Sequence, residues 1–216
     1  MAKNKTERYA ALPGMDNVYS SGEIFPGEWA SRVFGNSRPI TLELACGGGE
    51  YTLELAARHP ERNFIGVDIK GERIYKGARK ALEEHIANVA FLRAYIQFLD
   101  RYIKSETDNV EEIWITFPDP YPKKSKKRKR LTSPFFLDIY RRIILPERSV
   151  HLKTDSELLY LFTLESLREE GCTIVRSTSD LYNSSMADEV LSIKTMYEKQ
   201  HLEDGKTIKY VEFMVH

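Results

Sequence analysis

The chain has 216 residues, 42% hydrophobic and 30% charged, enough for one globular domain with a substantial core. Its 32 Lys+Arg balance 32 Asp+Glu, which excludes attraction of nucleic acid through overall charge; such binding must come from local clusters. Cys46, Cys172 and five scattered histidines give neither a disulfide framework nor metal-ligand spacing, so no metal is expected. No run approaches the ~20 apolar residues of a membrane helix, and residues 1–11 lack the apolar segment of a secretory signal, which points to a cytoplasmic protein without membrane contact.

Residues 1–38 are polar and rich in Gly, Pro and Ser, and read as an N-terminal arm or irregular cap. The main domain is expected over 39–216. Strands are expected over 40–45, 63–68, 89–94, 112–116 and 149–153, with two more over 172–178 and 208–215. Helices are expected over 50–58, 71–86, 97–104, 134–145, 156–170 and 188–201, with Pro134 suited to a first turn and Gly171 to a stop. This alternation predicts an α/β fold with a doubly wound, mostly parallel sheet and an antiparallel last strand.

The first strand runs into L-E-L-A-C-G-G-G-E, residues 42–50. A strand, a glycine turn and a helix build a crevice at the carboxyl end of a parallel sheet, where ligands of such folds bind. Gly47 and Gly49 would let a ligand approach the backbone. The spacing A-x-G-x-G differs from the G-x-G-x-x-G of a pyrophosphate seat, and a carboxylate at Glu43 would repel a phosphate. It would welcome a ligand with an ammonium and a sulfonium, as in S-adenosylmethionine. Asp68, ending the second strand, is placed to bond ribose hydroxyls. Ala94 and Tyr95, at the end of the third strand, should face the adenine, with backbone groups or Gln97 as its partners.

After the fourth strand comes F-P-D-P-Y-P, and then seven cations among the eight residues 123–130. Pro118 and Pro120 restrict the backbone around Asp119, which would stand where a methyl acceptor meets the sulfonium. Tyr121 offers a stacking face. Guanine N7 already has an in-plane lone pair, and a nearby carboxylate would stabilise the positive charge that methylation puts on the purine. Alternatively, Asp119 grips the N1 and N2 donors of guanine. The cationic run would track phosphates, although basic strings are also often flexible and solvated.

These motifs together resemble the bacterial tRNA (guanine-N7)-methyltransferases from about Thr41 onward. The glycine-turn motif is matched at 43–50, the N-F-I-G-acid motif at 63–68, and F-P-D-P-W-P-K-K with a closing R-L at 117–131. The T-D motif is Thr154-Asp155, and the late T-x-Y-E motif is Thr195, Met196, Tyr197 and Glu198. The resemblance implies a class I S-adenosylmethionine-dependent fold and N7 methylation of a guanosine in the tRNA variable loop, guanine-46. Glu43, Asp68 and Asp119 would bind the methyl donor, with Asp119 also catalytic. Lys123, Asp155, Thr195, Tyr197 and Glu198 would bind the tRNA guanosine. Thr154-Asp155 also reads as a helix cap, and Tyr197 as helix packing. The chain would act as a monomer or homodimer.

Four positions depart from the family pattern: Ala45 for the first glycine, tolerable with negative φ; Tyr121 for Trp; Lys126 for His; and Tyr95 for an acid. An amino-group methyltransferase acting on adenine N6, or a non-catalytic RNA-binding module with a decayed donor pocket, are the alternatives.

Overall fold

The computed structural model describes residues 2–20, 22 and 25–216, with side chains from residue 5 onward; Met1, Ser21, Glu23 and Ile24 of the first segment lie outside the described residues. The core strands are β2 (Ile40–Leu44), β3 (Asn63–Asp68), β4 (Val89–Arg93), β5 (Val110–Thr116), β6 (Ser149–Thr154), β7 (Thr173–Thr178) and β8 (Lys209–Met214). With a short β1 (Val18–Ser20) they form an eight-stranded sheet, in the order β1-β4-β3-β2-β5-β6-β8-β7. All pairings are parallel except those of β8, which runs antiparallel to β6 and β7. The expected doubly wound sheet with an antiparallel last strand is therefore present.

Strand periodicity of two divides the core into two layers. Leu42, Leu44, Ile65, Val67, Ile113 and Ile115 face one side, where α5 (Pro134–Ile143) and α6 (Glu157–Glu169) cover them. Phe64, Phe91 and Trp114 face the other, against α2 (Glu50–Arg58) and α3 (Gly71–Glu83). β2 to β6 are buried on both faces along most of their length, with Thr41, Glu43, His151 and Lys153 as buried polar positions among the apolar ones.

Residues before Pro39 are more regular than their composition suggested. α1 (Ala2–Ala11) lies on α3; a Cβ at Gly71 would fall 2.6 Å from Leu12 Cδ1, and Lys5 pairs with Glu72 at 3.1 Å. β1 extends the sheet beyond β4. Trp29 is fully buried in the core, its indole N–H donating to Tyr102 O at 2.8 Å. The buried Asp108, closing the short α4 (Ser105–Asp108), accepts from the backbone N–H groups of Gly27, Trp29 and Lys104. Four anchors thus hold a segment with few periodic apolar positions.

The helix expected over 188–201 begins only at Met196, as α7 (Met196–Glu203). Lys153 Nζ takes the carbonyls of Leu191 and Ile193 at 2.8 and 2.9 Å, so those acceptors are lost to a helical ladder. The short helix expected over 97–104 is a 3-10 helix at Ile96–Arg101.

Candidate active site

The carboxyl ends of β3, β2 and β5 are neighbours and carry Asp68, Glu43 and the loop of Asp119. The glycine turn between β2 and α2 is pinned by Asp68, whose Oδ2 accepts from Gly47 N at 2.9 Å and whose Oδ1 accepts from Lys70 N at 2.8 Å. A Cβ built on Gly47 or Gly48 meets no atom within 4 Å, so this backbone faces open space. Gly47 has φ +56°, which glycine adopts freely. Gly49 serves packing instead: a Cβ there would lie 2.5 Å from Phe91 Cε1.

Ala45 departs from the expectation of negative φ. Its φ is +58°, the left-handed region, where a Cβ is unfavourable. The strand must turn sharply there, since Cys46 N still donates to Val67 O at 3.1 Å before the chain folds back into α2.

Glu43 is 2% exposed and points toward α2. One oxygen accepts from Thr52 N at 2.9 Å and from the Thr52 hydroxyl; the other accepts from Thr116 Oγ1 at 2.6 Å. The carboxylate therefore ties the ends of β2 and β5 to the first turn of α2. Burial pushes its pKa up to about 7 against the opposing hydrogen bonds from Thr116 and Thr52.

Asp119 lies three residues beyond Thr116 and is exposed. Among the described residues its carboxylate has no hydrogen-bond or ion-pair partner. Phe117 and Tyr121, both preceding prolines, have φ of +49° and +42°. Such values are strained for aromatic residues and mark a loop held in shape by its surroundings. The cationic run is ordered: Lys124–Lys129 forms a 3-10 helix. Lys123 through Lys129 are exposed, and none of the seven cations of 123–130 makes an ion pair among the described residues.

The T-x-Y-E segment reaches this region from the end of the chain. Thr195 caps α7 by accepting from Glu198 N at 3.2 Å. Met196 N donates to Glu50 Oε2 at 2.5 Å, at the first turn of α2, and His201 lies 5.9 Å from the Phe117 ring. Tyr197 is 46% exposed, whereas Glu198 is fully buried and paired with Lys153. Asp155 pairs with Lys206 at 3.1 Å and faces His201 at 3.5 Å. Ala94 is buried; Tyr95 is exposed and packs edge-on against Phe98 at 6.4 Å. Thr52, Thr116 and Lys153 contribute to the site's framework although they lie outside every motif the sequence offered, and Arg130, which closes the 117–131 motif, contributes from a buried position.

The donor set suits a cationic ligand: open backbone at Gly47 and Gly48, the carboxylate of Asp68 at the end of β3, and Glu50 at the helix N-terminus where a phosphate seat would need none, while Glu43, expected to bind the donor, has its oxygens taken by Thr52 and Thr116 and braces the turn. Glycine turn, strand order and acids together are those of a Rossmann-like methyltransferase. The family model described as "Putative methyltransferase" matches residues 37–211. Among solved structures, the 16S rRNA methyltransferase KamB is similar over 89% of this chain and 94% of its own, with TM-score 0.63 and 15% identity, a likeness of fold.

The tRNA (guanine-N(7)-)-methyltransferase of Bacteroides fragilis is 42% identical over 223 residues, covering 100% of this chain and 87% of the relative. That of Porphyromonas gingivalis is 47% identical over 194 residues, covering 89% and 78%. The chain belongs to the tRNA (guanine-N(7)-)-methyltransferase family. Among the described residues no helix is long and apolar enough to cross a membrane, and no cluster of His, Cys, Asp or Glu is arranged to hold a metal ion.

Proposed function

We propose that this protein methylates N7 of a guanosine in the variable loop of tRNA, guanine-46, in the cytoplasm. In this reading residues 39–216 are the methyltransferase domain and residues 1–38 its cap. S-adenosylmethionine, when bound, supplies an electrophilic methyl group and leaves as S-adenosylhomocysteine once guanine N7 has taken it.

The observation that carries the reading is the carboxylate of Asp119, without a partner among the described residues, on a proline-bound loop that leads into a cationic helix making no ion pair among them. The Lys124–Lys129 helix attracts phosphates and brings the RNA to the crevice. Asp119 orients the purine and stabilises the positive charge that N7 methylation creates. No general base is needed, since N7 presents its lone pair directly. Catalysis rests on proximity and electrostatic placement. Gly47 and Asp68 seat the donor, and Glu43 braces that seat from beneath. Lys123, Asp155 and Tyr197 flank the guanosine, while Thr195 and Glu198 fix the segment that carries Tyr197.

Transfer of labelled methyl from S-adenosylmethionine into unmodified tRNA tests this. Asp119→Ala is expected to lose most turnover with tRNA binding largely intact. Equal losses of both would overturn the role of Asp119, and a wild-type protein that binds tRNA without transferring methyl would be a binding module.

A further inference from the structure

We infer that Arg130 is a positioning residue that fixes Asp119, tying the carboxylate's loop to the cationic helix. The inference rests on the function proposed above and concerns a different task from phosphate binding. Arg130 closes the cationic run, yet it is 6% exposed while its neighbours at 122–129 face solvent. Its Nε donates to Pro120 O at 3.0 Å and Tyr121 O at 3.3 Å, and a terminal guanidinium nitrogen donates to Tyr121 O at 3.0 Å. The cation centre lies 4.4 Å from the centroid of the Phe162 ring on α6.

These bonds fall where the backbone cannot support itself. Pro118, Pro120 and Pro122 have no N–H, and among the described residues no backbone–backbone hydrogen bond holds residues 118–122. The hydrogen bonds to this stretch come from Arg130. Positive φ at Phe117 and Tyr121 needs an external restraint to persist. The planar guanidinium reaches both carbonyls through a rigid fork of donors, a fixed geometry that the rotating donors of an ammonium on a flexible stem do not impose. At its other end Arg130 belongs to the cationic helix: its N–H donates to Lys127 O at 3.1 Å, and its carbonyl accepts from Ser133 N at 3.0 Å. One residue thus ends the RNA-facing helix and grips the two residues that follow Asp119.

The test compares wild type, Arg130→Ala and Arg130→Lys, each alone and with Asp119→Ala. Single-turnover methylation is measured at saturating tRNA and S-adenosylmethionine, beside tRNA affinity across salt concentrations. Arg130→Ala is expected to slow transfer about 100-fold, the scale of a small misplacement at the reacting centre. Affinity and its salt dependence stay near wild type, since the buried guanidinium neutralises no phosphate. Arg130→Lys recovers part of the rate. In the Asp119→Ala background Arg130→Ala adds little, because the two residues act as a unit.

An unchanged rate overturns the inference, as does an equal further loss in the Asp119→Ala background. So does weaker tRNA binding with a salt slope reduced by about 0.7–0.9, which would make Arg130 a phosphate contact. If melting shows Arg130→Ala unfolded, the Lys variant decides: about tenfold slower transfer supports the clamp, and a wild-type rate refutes it. Absence of transfer by the wild type itself overturns the proposed function along with the clamp, whereas an active wild type with unaffected Arg130 variants overturns the clamp alone.

Discussion

Lys153 Nζ lies 2.9 Å from Glu198 Oε2, and neither side chain has solvent exposure. The pair joins the end of β6 to α7, and the same ammonium holds the carbonyls of Leu191 and Ile193. Tyr182 adds its hydroxyl to the other oxygen of Glu198 at 2.6 Å. The segment carrying Tyr197 is therefore positioned by a satisfied buried network.

Lys153→Met leaves Glu198 buried without its counter-charge and should destabilise the fold by about 3–5 kcal/mol in urea unfolding. Lys153→Met/Glu198→Gln should recover part of that loss, since no charge then stays buried. A single variant as stable as wild type would show that this ion pair does not hold α7.

The raised pKa of Glu43 gives a pH signature. The folded protein holds a proton that the unfolded chain releases between about pH 4.5 and 7. This stabilisation is fully present below pH 4.5 and is lost as pH rises through 7, on the order of 3 kcal/mol in all. Wild type should lose stability relative to Glu43→Gln between pH 5 and 8. A difference that stays flat across denaturant titrations at those pH values would contradict the assignment.

The strands and the glycine turn were legible because two-sided burial writes itself as short β-branched runs closed by Gly, Asp or Pro. The Asp119 loop was legible from its prolines and the cations after it. Ala45 was not, because its left-handed backbone follows from the turn into α2, which no local pattern encodes at an alanine. The fold of residues 1–38 escaped because tertiary anchors, Trp29 and Asp108 above all, supply what local periodicity lacks. The short α7 escaped for the same reason: a lysine 38 residues from Leu191 claims the carbonyls that a longer helix would use.

The cationic helix predicts a salt dependence. Lys124→Gln and Lys127→Gln should each weaken tRNA binding and lower the slope of log affinity against log salt by about 0.7–0.9 if each neutralises one phosphate. Turnover at saturating tRNA should change little. Filter binding at several salt concentrations checks this, and unchanged slopes would remove these lysines from the RNA interface.

Gly77 lets α3 approach the glycine turn. A Cβ at this position would overlap the carbonyl oxygen of Gly48 and lie 2.8 Å from Phe91 Cζ. Gly77→Ala should therefore displace the turn, despite gaining about 1 kcal/mol of helix propensity. Saturating S-adenosylhomocysteine should raise the melting temperature of wild type and leave that of the variant nearly unmoved. Equal shifts would mean that the turn tolerates the added methyl.

The position of the transferred methyl group decides whether this protein is a guanine-N7 methyltransferase of the tRNA variable loop. Unmodified tRNA is incubated with the protein and S-adenosylmethionine, then digested and sequenced by mass spectrometry. A single new methyl group is expected, on N7 of the variable-loop guanine and dependent on Asp119. Methyl on adenine N6, or on a guanine outside that loop, would contradict it.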